Sequence, residues 1–364
     1  MRHLRISIVF IVSILIFLGV IMIYSSSGVY AMHELGDNLY FLKRHLLFLL
    51  VGLLLAFLSL GFDYRDLRAL AKPLMLLSIF LLVVVLIPGI GKLSFGARRW
   101  FHIGSFYFQP SEFAKLAILL YVADYMARKQ QQIQQMREGV MPLCLVVCLA
   151  CLLILKQPDL GSALVIASIA FVLLFTAGMR LEILFGIALA AIPAFYFLVM
   201  MVPYRWRRIM IFLDPWSDSQ GAGFQLIQSQ IALGSGGIFG VGLGKSMQKL
   251  FYLPAAHTDF ILSIIGEELG FLGAFTVIVL FVCFIWQGTR IVKNTMDPFG
   301  YFLAMGIVFM IGLQAMVNVG VSIGALPTKG LPLPFISYGG SALIVNLLAV
   351  ALLLNISRVQ DSQS

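Results

Sequence analysis

The residues best placed for chemistry are His257, Thr258 and Asp259, at the threshold of the apolar stretch FILSIIGEELGFLGAF. A carboxylate at a lipid boundary is a functional candidate, because a charge held there is costly unless it has a use or a partner. Partial desolvation raises the pKa of such an acid toward the range of a general base, and nearby cations pull it back. Asp259 equally suits the N-cap of the helix that follows, since Asp is among the preferred capping residues. On the residues alone both readings stay open. Glu267 and Glu268 come eight and nine residues later, about 12 to 14 Å deeper at a rise of about 1.5 Å per residue. That is too deep to act with Asp259, and a structural hydrogen-bonding role is expected of them.

Other chemistry-bearing side chains gather in four stretches. GARRWFHIGSFYFQPSEFAK combines Arg98 and Arg99 with Trp100, Gln109, Glu112 and Lys115. Guanidinium beside an aromatic ring suits a phosphosugar, although Trp100 fits an interfacial aromatic belt equally well. KQPDLGS presents Lys156 and Asp159, the latter a competing base or a helix cap before Leu160. The segment 203–258 carries Arg205 and Arg208 in YRWRR, a Gly-rich piece with Lys245 and Lys249, and then His257. Its GLGKS invites a nucleotide-binding reading, but a P-loop needs Gly where Phe239 stands and no strand precedes it. The glycines are therefore read as close-packing or tight-turn positions, and no nucleic-acid partner is expected. PTKGLPLPFISYGGS, with Lys329, has too much Pro and Gly for regular helix. Backbone of that kind at membrane depth must line protein or water.

The elements that must position these residues are membrane helices. Hydrophobic residues make up 61% of the 364 and charged residues 11%, more apolar surface than a soluble fold can hide. Ten apolar runs, each of a length suited to crossing the bilayer as a helix, fall near 6–24, 45–60, 73–90, 113–126, 140–155, 160–177, 181–202, 259–287, 301–323 and 337–356. The expectation is an all-α polytopic membrane protein, a single domain over 1–364 with ten transmembrane helices and a large extracytoplasmic loop, 203–258, between the seventh and eighth. The first run has no small-residue cleavage site and is expected to stay as an anchor. Cys144, Cys148 and Cys151 share one run with no His or carboxylate beside them, and read as small buried residues. Arg2 and Arg5 place the termini in the cytoplasm, yet this leaves 12 basic residues inside and 13 of the 25 outside. An outer face normally sheds Lys and Arg. Their retention calls for an anion, such as a pyrophosphate or lipid headgroups.

GARRW, QPSEFAK, QPDLGSA, FLDPWSDSQGAGFQ, SQIALGSGGIFGVGLGKSMQK, LPAAHTDF, EELGFLG and PTKGLPLPFISYGGS, in this order, resemble the SEDS family of peptidoglycan glycosyltransferases over nearly the whole chain. Within it, FLDPW and PTKGLPLPFISYGGS are more similar to the division branch, FtsW, than to the elongation branch, RodA. The resemblance implies the ten-helix SEDS fold in the bacterial cytoplasmic (inner) membrane, with both termini cytoplasmic and the active site outside. It implies that Asp259 is essential for polymerising lipid II into β-1,4 glycan strands for septal wall synthesis. Under it, Arg99, Trp100, Gln109, Glu112, Lys115, Asp159, Arg205, Arg208, Lys245, Lys249, His257 and Lys329 are candidate substrate-binding residues. A divalent cation, Mg or Mn, is a candidate cofactor. A class B penicillin-binding protein transpeptidase, other divisome proteins and membrane lipid are the expected partners. The family pattern LPEAHTDF has Glu where this chain has Ala255. A lipid II flippase and a non-catalytic scaffold are the other function classes compatible with such a bundle.

Overall fold

The computed structural model describes the chain apart from residues 95, 96, 105, 222, 251, 255, 329 and 362–364. Its long helices coincide one for one with the ten apolar runs: α1 (Arg2–Leu35), α2 (Tyr40–Ser59), α3 (Leu67–Val84), α4 (Pro110–Lys129), α5 (Met141–Lys156), α6 (Leu160–Thr176), α7 (Leu181–Met200), α10 (Ile261–Asn294), α11 (Pro298–Ser322) and α12 (Gly340–Asp361). Among the described residues, seven helices are long and apolar enough to cross a membrane. The helix α6 and the apolar stretch Leu181–Ala190 are shorter, and α4 carries Glu112, Lys115 and Asp124 within its length. These acids are not left bare: Lys115 pairs with Glu112, and Arg68 and Arg128 pair with Asp124.

The helix starts follow local chemistry. Pro110, Pro203 and Pro298 stand at first-turn positions, where a missing N–H costs nothing. Asp159 accepts from Ser162 N and Asp297 from Gly300 N, capping α6 and α11. At one end of the bundle the termini meet: Arg5 donates to the Ser357 carbonyl and to Asp361. The site residues lie at the opposite end.

The expected all-α fold needs a correction. Residues between α3 and α4 form a three-stranded antiparallel sheet, β1 (Gly91–Ser94), β2 (Ala97–Ile103) and β3 (Phe106–Phe108), in the order β1-β2-β3. Phe101 pairs with Phe108 across the ladder and their rings stack at 6.4 Å. Aromatic cross-strand pairs of this kind stabilise a small sheet, and Gly104, at φ 61°, supplies the turn between β2 and β3. Strand alternation puts Arg99 on the face it shares with buried Ala97 and Phe101, and Arg98 and Trp100 on the other.

The 203–258 segment is likewise structured. It contains α8 (Pro203–Leu213) and α9 (Phe224–Ser235), then a Gly-rich loop that packs into a break in α10. The break is at Gly270, with φ 71° and ψ −169°. Val241 N and Gly242 N donate to the freed carbonyls of Glu267 and Glu268, while Phe271 N and Leu272 N donate to Gly237 and Ile238 carbonyls. Backbone groups released by an interrupted membrane helix are thus satisfied by another segment, as they must be in lipid. A Cβ on Gly236 or Gly240 would collide with the backbone of 266–270, so glycine is required for this approach.

Candidate active site

Asp259 sits in the turn just before α10, and three side chains or backbone groups from the C-terminal third of the protein clamp that turn. Tyr338 N donates to the His257 carbonyl at 2.9 Å, the Ser337 hydroxyl donates to the Thr258 carbonyl, and Asn318 Nδ2 donates to the Asp259 carbonyl at 2.9 Å. Asn318 also donates to the Leu331 carbonyl at 2.9 Å, tying the Pro-rich loop to the same point. Sequence reasoning missed these three. The signal for Asn318 was an amide in the apolar run of α11, one of two with Gln314, and a polar group there is expected to have a job.

The side chain of Asp259 has no such support. Among the described residues no donor hydrogen-bonds to its oxygens, and Gly330 packs beside the carboxylate, where a Cβ would come within 3.4 Å of Oδ2. It keeps partial solvent access. Surrounding protein nevertheless desolvates it and pushes its carboxyl up to about 6; Arg208 and Arg99 pull against this and Asp159 adds to it. Asp259 does not cap α10 through its side chain, since the N-cap is Phe260 without a side-chain bond.

The arginines are held from behind. Arg99 donates to the carbonyls of Gln157 and Pro158, each at 2.7 Å. Arg208 donates to the Thr328 carbonyl at 2.8 Å and Arg205 to the Leu155 carbonyl at 3.1 Å. Carbonyl bonds fix a guanidinium in place without themselves cancelling its charge. Arg205 and Arg208 both come from α8, one helical turn apart. Asp159, the competing base, is already saturated: it caps Ser162 N at 3.0 Å and accepts from Ser111 and Gln109 at 3.1 and 3.3 Å. Gln109 N in turn donates to the Ser341 hydroxyl, so Gln109 and Asp159 are tied into the frame of the site.

His257 lies in an aromatic cluster, with ring centroids 4.5 Å from Phe41, 5.8 Å from Tyr338 and 6.1 Å from Tyr30. Burial lowers its pKa to about 4, so it is neutral at physiological pH. Glu112 and Lys115 are buried and bond to each other at 2.8 Å, and Lys249 bonds Glu268 at 2.8 Å and Ser25 at 3.2 Å. The structure therefore does not bring Lys115 or Lys249 to the Asp259 carboxylate. Trp100 is half-buried on β2 and Lys245 is exposed. Lys329 and Ala255 lie outside the described residues. The described residues hold no cluster of three metal-ligating side chains.

The sequence matches the family model for cell cycle proteins of the FtsW, RodA and SpoVE group over residues 5–362. It is 47% identical over 339 residues to the probable peptidoglycan glycosyltransferase FtsW of Geobacter metallireducens, covering 93% of this chain and 90% of that protein. Stage V sporulation protein E of Bacillus subtilis is 45% identical over 96% of both chains. A chain of a structure reported as a peptidoglycan synthase complex coordinating polymerization and crosslinking superposes with a TM-score of 0.79, at 34% identity and 97% coverage of both chains. The rod shape determining protein RodA of Thermus thermophilus superposes with a TM-score of 0.70, at 30% identity over 97% of this chain and 96% of its own. The chain is a multi-pass membrane protein that belongs to the FtsW, RodA and SpoVE family of cell cycle proteins.

Proposed function

We propose that the protein is a peptidoglycan glycosyltransferase of the division type, polymerising lipid II on the outer face of the bacterial cytoplasmic membrane. The observation that carries this reading is the Asp259 carboxylate: without a hydrogen-bond donor among the described residues, partly desolvated, clamped through its backbone and acted on by the charges of Arg208 and Arg99. Its raised pKa suits a general base. Asp259 takes the proton from the acceptor 4-hydroxyl as that oxygen attacks the donor anomeric carbon. The bond from that carbon to pyrophosphate breaks through an oxocarbenium-like state, and inversion leaves a β-1,4 link. Arg99, Arg205 and Arg208 stabilise the departing pyrophosphate.

A divalent cation fits this site only in the sparse manner of Mg²⁺ or Mn²⁺, with one carboxylate and substrate phosphates as ligands. Asp259 would hold it, because Asp159 is saturated by Ser162, Ser111 and Gln109. The cation would supply further charge neutralisation at the pyrophosphate. In this reading the ten long helices all cross the bilayer and both termini are cytoplasmic, which leaves the 203–258 loop and the arginines outside. The lipid tail of the substrate then never leaves the membrane. Crosslinking requires a transpeptidase partner, for which a class B penicillin-binding protein is the candidate.

The test is reconstitution of the purified protein with its cognate transpeptidase and labelled lipid II. Wild type is expected to make a glycan ladder, and folded Asp259→Ala none. A ladder from both would remove Asp259 as the base, and none from either would overturn the polymerase reading.

A further inference from the structure

A groove lies along α1. It measures about 750 Å³ and runs along the outer half of α1, closed by Leu243, Gly244 and Lys249 of the Gly-rich loop. Its deep end is at Ser25, which donates to Glu268 at 2.7 Å. Glu268 is nine residues along from Asp259, about 13 Å deeper in the bilayer at helical rise. Its outer end is at Met32, His33 and Asn38. Between the two, Tyr30 turns its ring toward His257, two residues before Asp259, at a centroid distance of 6.1 Å. The groove therefore extends from within the bilayer up to the level of the reactive carboxylate.

Its chemistry is graded along that length. Lys249 is buried, and Glu268 and Ser25 neutralise it, so the deep end offers no free charge to a ligand. The walls are apolar, with Ile21, Val29, Met32 and Leu243. The outer end is polar, at His33 and Asn38, with Glu34 beside His33 at 3.1 Å. An apolar trough with a neutral floor and a polar mouth complements one kind of molecule: a long hydrocarbon chain ending in a polar head.

The reaction needs two lipid-linked sugars at once. Arg99, Arg205 and Arg208 are gathered around the α5–α6 junction and the Thr328 loop, where a departing pyrophosphate needs charge. The groove along α1 has few cations, which suits the substrate whose pyrophosphate does not leave. We propose that this groove seats the polyprenyl chain of the acceptor lipid, presenting its sugar to Asp259 from the α1 side. The assignment rests on the polymerase reading and adds to it the route by which one substrate enters.

The test fills the groove without touching the site. Gly28 lines it, and a Cβ there would meet only the Asn38 carbonyl, at an ordinary 3.7 Å, so Gly28→Leu is compatible with the helix. Val29→Trp is a second filler. Initial rates are compared on undecaprenyl-linked substrate and on an analogue with a short prenyl chain. Each variant is expected to raise the KM for the long-chain substrate about tenfold, which is about 1.4 kcal/mol, with kcat and the short-chain KM unchanged. Equal losses on both substrates, or no loss on either, would overturn the assignment. Wild type carrying a photoreactive polyprenyl diphosphate is the parallel measurement, independent of folding of any variant. Labelling within residues 21–33 that excess phospholipid does not displace supports the groove. Labelling elsewhere, or equal labelling by a photoreactive phospholipid, would assign it to bulk acyl chains. A wild type that makes a ladder while the groove tests fail leaves the polymerase reading standing. A wild type with no ladder fails that reading, and the acceptor assignment falls with it.

Discussion

Asp259, in the turn before α10, and Glu268, nine residues on in the short first arm of that helix, are treated by the protein in opposite ways. Glu268 is fully buried and saturated: it accepts from Lys249, Ser25 and the Ser246 N–H. Its neighbour Glu267 accepts from Ser246, Met247 N and Gln248 N. Asp259 is held only by its backbone, and its carboxylate is left without a hydrogen-bond donor among the described residues. A saturated acid anchors; a desolvated, unsatisfied one stores the tendency to take a proton. The contrast separates a clip, which fastens the Gly-rich loop to the broken helix, from a reactive group mounted at that helix's end.

The comparison breaks most directly by removing each acid. Asp259→Ala is expected to cut polymerisation by about three orders of magnitude or more while the protein stays folded, read from glycan ladders beside a melting curve. Glu268→Ala should do the reverse. It leaves the buried Lys249 charge unpaired, which costs about 3 kcal/mol or more, so yield and melting temperature fall before activity per folded molecule does. Replacing the pair together, Lys249→Met with Glu268→Leu, is expected to recover much of that loss, and a double-mutant cycle in thermal unfolding measures it.

A smaller effect is expected at the arginines. Arg208→Ala removes one of the two cations that, among the described residues, act on Asp259 and should lower kcat by about 10- to 100-fold, with Arg208→Lys intermediate; steady-state rates on lipid II decide it. The smallest effect concerns stability. A carboxyl whose folded pKa, about 6, exceeds its unfolded value of 3.8 costs the fold stability as pH rises through that window. Asp259→Asn removes this cost and should raise stability near neutral pH by on the order of 1 kcal/mol, discounted for the site's solvent access. A melting temperature at pH about 7.5 that is unchanged or lower would contradict the desolvation account.

Much of this contrast was legible in the sequence. The ten apolar runs locate the ten long helices, seven of them among the described residues long and apolar enough to cross a membrane, because a spanning helix needs a sustained apolar run that dominates local detail. Asp259 stood out as an acid at a lipid boundary, and Glu267 and Glu268 as acids too deep to join it. The small sheet was not legible, since 91–108 mixes Gly, Arg and aromatics and its register is fixed by pairing across strands. The break at Gly270 was hidden inside EELGFLG, which reads as continuous apolar helix; only the loop arriving from 236–242 satisfies the backbone it frees. Lys115 and Lys249 looked like anion ligands because a sequence shows charges without their partners. For Lys115 the clue was present, Glu112 three residues earlier on the same helix face. For Lys249 the partner comes from a different segment and no spacing reveals it.

The central claim, that Asp259 works as an ionised base whose burial sets its pKa, is tested most directly by the pH dependence of glycan synthesis. Rates of kcat/KM on lipid II are measured for the reconstituted complex from pH about 5 to about 7.5. The account predicts a rise that levels off above about 6, as the carboxyl releases its proton, and no such step in the residual rate of Asp259→Asn. A flat profile in wild type, or the same step retained in Asp259→Asn, would contradict it.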